Sequence, residues 1–560
     1  MTPKAIRSYS PEKSTDFQNA MLTRRHILCT TGIVAAAVRL VFYALFSGTM
    51  FRHYHMVTGL DMQTLLRFSE WGKSDQLVPP FFTLHRVVIY LIWKFNHAVH
   101  SVDMLFLLQA LSGIAGALAV ADLTLKLSGK RKAAIVAGII YALYLPFLIY
   151  EFSVLQETFT LNTLLFAVWM TIYARKKRFT CFPALASGIL WGFVLTGRPV
   201  SLLVAIAAFA AVFRYCKRKQ MIRRWWIFLA GALLITGIAS WFNHHFKSGC
   251  GPFYNVLPYT IRYNTVESAS ASEKLSVKES KWKKFALTAT KMIQRTPLLL
   301  SVRELPENQN IYFWREKMPE TRLLLGPEIL MTLTVFGLLM LLFSGRWKHP
   351  EGIILWMLLL APALCGREAI GRYRLMLCPY FIIIAVIGIS SVSRIKSTVK
   401  KRIFVLIAAV TALGAAAFEL NRNHGLRLSD YHSWAIATEA AYGTNDAMDA
   451  YYEYWEKSLM RNDRAFRVIQ DAAMRSSNFE IAAHVIRQAE LAGAVNPSLI
   501  AYFTGLLHVG KQNPDGVYRA FARIKPETLP PDIQVQYNRI LFETLKFLRQ
   551  RENKRLNKSL

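Results

Sequence analysis

The sequence predicts an all-α fold: a polytopic helical membrane protein of about eleven transmembrane helices with a soluble α-solenoid-like domain behind it. Three observations carry this. Apolar runs recur from Ile27 to Leu420, in a chain of 560 residues that is 53% hydrophobic with a mean hydropathy of +0.26. A bilayer core about 30 Å thick takes roughly 20 helical residues per crossing, and only helices leave no backbone polar group of a single span unpaired in lipid. Basic clusters alternate along the chain, at Lys126 to Lys132, Arg175 to Arg178, Arg214 to Arg224, Arg346 with Lys348, and Arg394 to Arg402, each behind an even-numbered apolar run. That alternation follows the positive-inside rule. Beyond Leu420 the apolar runs stop and a charge-mixed pattern of helical period takes over.

Residues 1–26 form a basic cytoplasmic segment, with Lys4, Arg7, Lys13, Arg24 and Arg25, that runs into an apolar stretch without a small-residue cleavage pattern. The first span is therefore expected to be retained. Residues 27–420 form the membrane domain, with spans expected at 27–47, 104–125, 133–150, 157–174, 182–197, 200–215, 224–243, 328–344, 351–365, 376–393 and 402–420. A cytoplasmic start puts residues 48–103, a short turn around Glu151, residues 244–327 and everything after Leu420 outside. In the first outer loop, 48–103, the stretch Phe81 to Trp93 opens on Pro79-Pro80 and is broken by His85 and Arg86, which suits a helix lying in the interface. The outer loop 244–327 opens on the turn signal Ser248-Gly249-Cys250-Gly251-Pro252. Residues 421–560 are expected to be an extracytoplasmic domain of short helices that pair in the manner of tetratricopeptide repeats and could bind a protein partner.

The net charge of +33, from 68 Lys+Arg against 35 Asp+Glu, lies mostly between the spans. It reads as a collar on membrane lipids, not as a nucleic-acid surface. The six cysteines, at 29, 181, 216, 250, 365 and 378, have no paired spacing and form no metal motif. Cys250 and Cys365 would share the oxidising face, where a disulfide is allowed.

Topology puts two acids at the outer face, Asp61 in Gly59-Leu60-Asp61-Met62 and Glu157 in Val154-Leu155-Gln156-Glu157-Thr158. A carboxylate there can deprotonate an acceptor hydroxyl or orient an amine or a metal, so a divalent cation is a compatible cofactor. Loop acids are ordinarily solvated, whereas an acid entering an apolar span is costly, so Glu157 is the better supported on physical grounds. Arg198, Arg372 and Arg374 open or close spans on the same side. Guanidinium forks suit phosphate oxygens, although any one arginine at a span end can snorkel to lipid headgroups. Arg39 lies inside the first span, where it either lines a polar interior or snorkels.

These landmarks, in order, resemble the GT-C superfamily of integral-membrane glycosyltransferases, which includes protein O-mannosyltransferases and lipid A aminoarabinose transferases. The resemblance covers roughly residues 27–395 and rests on Arg39, Asp61, Pro79-Pro80, the stretch from Leu145-Pro146 to Glu157, Arg198-Pro199, and Arg372-Tyr373-Arg374-Leu375. The run Asn310-Ile311-Tyr312-Phe313-Trp314-Arg315-Glu316 also resembles bacterial members with tetratricopeptide-like tails. The chain departs from many of them at Leu65, where they have Tyr, and at Pro80-Phe81-Phe82-Thr83, where they have Pro-Leu-Tyr-Pro.

The resemblance implies transfer of a sugar from a polyprenyl-phosphate donor to a glycan, lipid or protein hydroxyl outside the membrane. Asp61 would be the catalytic base, and Glu157 would position acceptor, donor or metal, with Glu151 as its substitute. Arg198, Arg372 and Arg374 would hold the departing phosphate. Apart from the resemblance, His85, which follows Pro79-Pro80, either touches substrate or caps the interfacial helix. A transporter or lipid flippase, and a non-catalytic scaffold with a degenerate transferase core, are the competing readings.

Overall fold

A computed structural model of the chain describes residues 12–57, 60–63, 87–89, 91–92, 102–176, 180–197, 218–245, 301, 309–344, 374–395, 398–420 and 426–559. Among these the structure is all-α. Its only bridge of strand type among the described residues joins Tyr144 to Leu325. The expected spans at 200–215 and 351–365 lie outside the described residues, as do His85, Arg198, Arg372, Leu65, Phe82, Cys250 and Cys365.

The chain divides into two units, residues 1–48 with 59–425 and residues 49–58 with 426–560. In the first unit, α1 (Glu12–Ser47) begins well before the expected onset at Ile27, because no glycine or proline interrupts residues 12–26. It is followed by α2 (Asp103–Ser128), α3 (Arg131–Leu143), α4 (Leu145–Glu151), α5 (Glu157–Lys176), α6 (Cys181–Gly197) and α7 (Arg218–His245). Then come α8 (Ile311–Lys317), α9 (Pro327–Phe343), α10 (Cys378–Ser391) and α11 (Thr398–Leu420). Among the described residues, the stretches Leu22–Ser47 and Asp103–Ser128 are long and apolar enough to cross a membrane. Shorter apolar stretches run Cys181–Thr196, Trp225–Ala239, Pro327–Phe343 and Cys378–Ser391.

The run expected as one span over 133–150 is two helices. Tyr144 is extended (φ −74°, ψ 107°) between α3 and α4, and Pro146 sits in the first turn of α4. A proline lacks the N–H that a continuous helix needs, so the break falls just ahead of it. The backbone groups freed there are re-paired, since Leu145 N donates to Leu325 O at 2.9 Å and Leu325 N to Leu143 O at 3.0 Å.

Helix α2 packs against α1, α3 and α5, α6 against α7, and α9 against α10. The last pair meets backbone to backbone: a Cβ on Gly388 would lie 2.0 Å from Gly337 O. Close approach through small residues is how helices gain dispersion energy where lipid supplies no hydrophobic drive.

The second unit is a succession of helices, α12 (Leu428–Tyr442), α13 (Met448–Lys457), α14 (Asp463–Arg475), α15 (Phe479–Ala492), α16 (Pro497–Gly510), α17 (Pro514–Phe521) and α18 (Pro531–Ser559), each packed on the next. Asparagine starts four of them. Asn462, Asn478, Asn496 and Asn513 each accept a backbone N–H of the following first turn at 2.9–3.2 Å. Such a cap satisfies donors that have no intrahelical partner. The unit also incorporates a 3-10 turn from the first loop, Met50–Met56. Phe51 and Tyr54 are buried there, and their rings meet Trp434 at 5.1 and 6.5 Å between centroids.

Candidate active site

The polar centre of the first unit is built where α4 turns into α5. Glu151 closes α4 and is 1% exposed, and Arg39, 2% exposed, reaches it from α1 with Nη2 at 2.6 Å from Oε1. Arg39 Nη1 also donates to Ala35 O, one turn back in its own helix, at 3.1 Å. The pair lies against the backbone of α2: a Cβ on Gly113 would fall 2.0 Å from Glu151 Oε1 and 2.6 Å from Arg39 Nη2. One turn further along α2, Gly116 faces Tyr141 and Asn162, whose side chains bond at 2.7 Å, and Asn162 donates on to Ser112 at 3.0 Å. Glu151 Oε2 and Arg39 Nε are buried with no hydrogen-bond partner among the described residues.

On the other side of Glu151, the 152–156 turn is held by amides. Gln109 Nε2 donates to Ser153 O at 3.0 Å, and Gln309 Nε2 donates to Ser153 Oγ at 3.0 Å. Gln309 Oε1 accepts from Trp314 Nε1 at 2.7 Å. Beneath the turn lies an aromatic cluster in which Phe152 meets Phe42, Phe46 and Phe106, and Trp314 stacks on Phe46 at 6.0 Å. Apolar packing on one face and the two amide donors, Gln109 and Gln309, on the other hold this turn, which delivers Glu157 to the first position of α5. Glu157 is 1% exposed, and the positive end of the α5 dipole favours a carboxylate there.

Asp61 lies in a short helical turn, exposed, beside Met62, which is 1% exposed. Met62 Sδ is 3.8 Å from Gln309 Nε2, the amide that also holds Ser153. Arg374 is 3% exposed, and its Nη1 donates to Ser301 O at 2.5 Å. One turn on, Cys378 Sγ is 3.6 Å from Tyr144 Oη, at the break that opens α4. The structure thus links four of the residues picked from the sequence, Asp61, Glu151, Glu157 and Arg374, to one neighbourhood around α4 and the turn behind it. Asp61 is the exposed acid of the four. Glu151 is occupied by Arg39, which suits a positioning residue better than a substrate ligand.

Sequence reasoning did not single out Gln109, Gly113, Ser153 or Gln309. Gln109 and Gly113 carried a signal, an amide and a glycine one turn apart inside an apolar span. Ser153 and Gln309 carried none, because their pairing joins segments 156 residues apart. Among the described residues no group of three or more His, Cys, Asp or Glu could hold a metal ion.

No family model matches this chain. No curated protein matches it either. Among solved structures, the chain is similar to the archaeal oligosaccharyltransferase AglB from Archaeoglobus fulgidus in complex with an inhibitory peptide and a dolichol-phosphate, at 13% identity and a TM-score of 0.40, over 77% of this chain and 59% of that one. It is also similar to the Archaeoglobus fulgidus oligosaccharyltransferase in complex with Zn and sulfate, at 15% identity and a TM-score of 0.39, over 77% and 56% of the two chains. The chain therefore spans less than two thirds of the length of the solved structures it resembles.

Proposed function

We propose that this chain is a multi-pass GT-C-type glycosyltransferase of a cell (inner) membrane, moving a sugar from a polyprenyl-phosphate donor to an acceptor hydroxyl on the extracytoplasmic face. The observation that carries the reading is the Gln309 bridge, which ties the turn bearing Asp61 to the turn leading to Glu157. An exposed carboxylate tied through Gln309 to the turn that leads to a buried one at a helix N-terminus suits a base and its positioning partner. Asp61 takes the acceptor proton, the acceptor oxygen attacks the anomeric carbon, and the sugar–oxygen bond to phosphate breaks with its electron pair staying on the polyprenyl phosphate. Arg374, joined by Arg198 and Arg372, stabilises the charge that develops on that phosphate. The acceptor is a glycan, a lipid or a protein.

The extracytoplasmic placement of the helical tail is supported by the make-up of the second unit. Residues 49–58 follow the expected first span and fold together with residues 426–560, which supports a shared side of the membrane for the two stretches. An even number of crossings then separates Gly48 from Leu426, as the eleven-span reading requires.

Asp61→Asn is expected to abolish transfer from a polyprenyl-phosphate sugar while expression and thermal unfolding stay unchanged. Full activity in that variant rejects the assigned base. A transporter or flippase is the second reading, favoured by one observation, the helix break at Tyr144, since broken helices build substrate sites in transporters. Flux of a lipid-linked sugar in proteoliposomes with no glycosylated product would select it.

A further inference from the structure

We infer that α18 is a second membrane contact of this protein, docking its outer face on an anionic lipid surface. The inference rests on the membrane reading of residues 27–420 but not on the glycosyltransferase reading. Helix α18 covers Pro531–Ser559 and packs on α17 through one side, where Ile533, Tyr537 and Thr544 are buried. The opposite side is not polar. Val535 is 70% exposed, Phe542 67% and Leu545 37%, and spacings of seven and three residues put them on one stripe of an α-helix. Arg539, Lys546 and Arg549 fall on or beside that stripe, and Lys554 and Arg555 follow it, all exposed, against the acids Glu543 and Glu552.

Apolar side chains set singly among cations are the pattern of a helix lying in a lipid headgroup layer. A stable protein interface needs some 20–30 residues a side around a contiguous apolar centre, which Val535, Phe542 and Leu545 set among cations do not supply, and Phe547, 53% exposed, falls well off their stripe by helical register. The bilayer is also the surface the unit meets at highest effective concentration. Its segment 49–58 begins two residues after α1 ends at Ser47, and Leu426 follows α11, which ends at Leu420, after a few residues. A domain tethered at two points a few residues from the bilayer needs little intrinsic affinity to stay docked.

The test uses the full chain in phosphatidylcholine nanodiscs with or without about one third phosphatidylglycerol. A trace of lipid carries a photoactivatable group in its acyl chain, and adducts are mapped by mass spectrometry. The expected result is adducts on residues 535–549 in the anionic discs, falling by at least roughly tenfold in neutral discs and in K546E/R549E. V535S/F542S, which leaves the inner face untouched, is expected to remove them while hydrogen exchange of the Ile533 to Thr544 amides stays slow. Labelling confined to α2 and the other spans overturns the inference. Adduct yield indifferent to lipid charge and to K546E/R549E overturns it too, as does cross-linking of this stripe to protein in place of lipid. Loss of sugar transfer plays no part in the readout, so failure here and failure of the enzyme reading are told apart.

Discussion

Arg39 and Glu151, 112 positions apart, form a buried ion pair with 2.6 Å between Nη2 and Oε1, seated in the space that Gly113 leaves open. Two charges withdrawn from water hold together only while both are present, because each is the other's solvation. Removing one partner, as Glu151→Ala or Arg39→Ala, is expected to lower stability by about 3–5 kcal/mol, whereas Arg39→Met with Glu151→Leu should recover most of that loss. Gly113→Ala should act in the same direction, since its Cβ would overlap both side chains. Thermal unfolding of the four variants in one detergent checks this, and an additive double variant would show that the two residues do not act as a pair.

The role proposed for Arg374 at the donor phosphate is separable from stability. One of its guanidinium nitrogens is spent on Ser301 O, which sets the orientation of the group. Arg374→Ala is expected to raise the KM for a polyprenyl-phosphate donor by at least about tenfold, the worth of one charge-assisted hydrogen bond. Arg374→Lys should restore the charge without the fork and recover the KM only in part. Equal donor KM values in all three proteins would remove Arg374 from the phosphate site.

The residues that carry charge inside or beside apolar runs were legible in the sequence, because such placements are costly enough to stand out. Arg39, Glu157 and Arg374 stand out in this way, whereas Glu151 enters only through the family resemblance, as a substitute for Glu157. Their partners were not legible. Nothing in the local sequence of Gln309 says that it meets Ser153, and nothing around Glu151 says that Arg39 pairs with it, because both are facts of helix packing. The break at Tyr144 was visible as Pro146, yet apolar content over 133–150 outweighed one proline in the span reading. The fate of residues 50–56 was equally hidden, since Phe51 and Tyr54 find their partner, Trp434, only after the whole membrane domain has intervened.

That last contact makes the first loop a structural part of the tail. Phe51 is 3% exposed and its ring meets Trp434 edge on at 5.1 Å. Phe51→Ala leaves a void beside α12 and is expected to cost the second unit about 3–5 kcal/mol. Hydrogen exchange of α12 and α13 amides in the full chain reads the loss directly. Unchanged protection there would mean that the 49–58 segment rests on the tail without stabilising it.

Glu439 gives the tail an acid-sensitive fastening. Burial alone would raise its carboxyl, but hydrogen bonds from Tyr451 and Thr444 and the Arg475 guanidinium outweigh that and hold it below the usual glutamate value of 4.5. Thr444 Oγ1 donates at 2.7 Å, and Arg475 Nη2 lies 2.9 and 3.1 Å from the two oxygens. A carboxyl depressed on folding contributes stability that is fully present above its unfolded value and is lost as pH falls through the lower folded value. Protection factors of α12 and α13 amides, corrected for intrinsic exchange, should therefore hold steady down to about pH 5 and drop below it. Glu439→Gln should start from lower protection at neutral pH and lose that part of the pH dependence. Parallel acid profiles for the two proteins would assign the drop to other carboxylates, with Asp532, whose carboxyl the Arg467 side chain lowers by hydrogen bonding, as the next to replace.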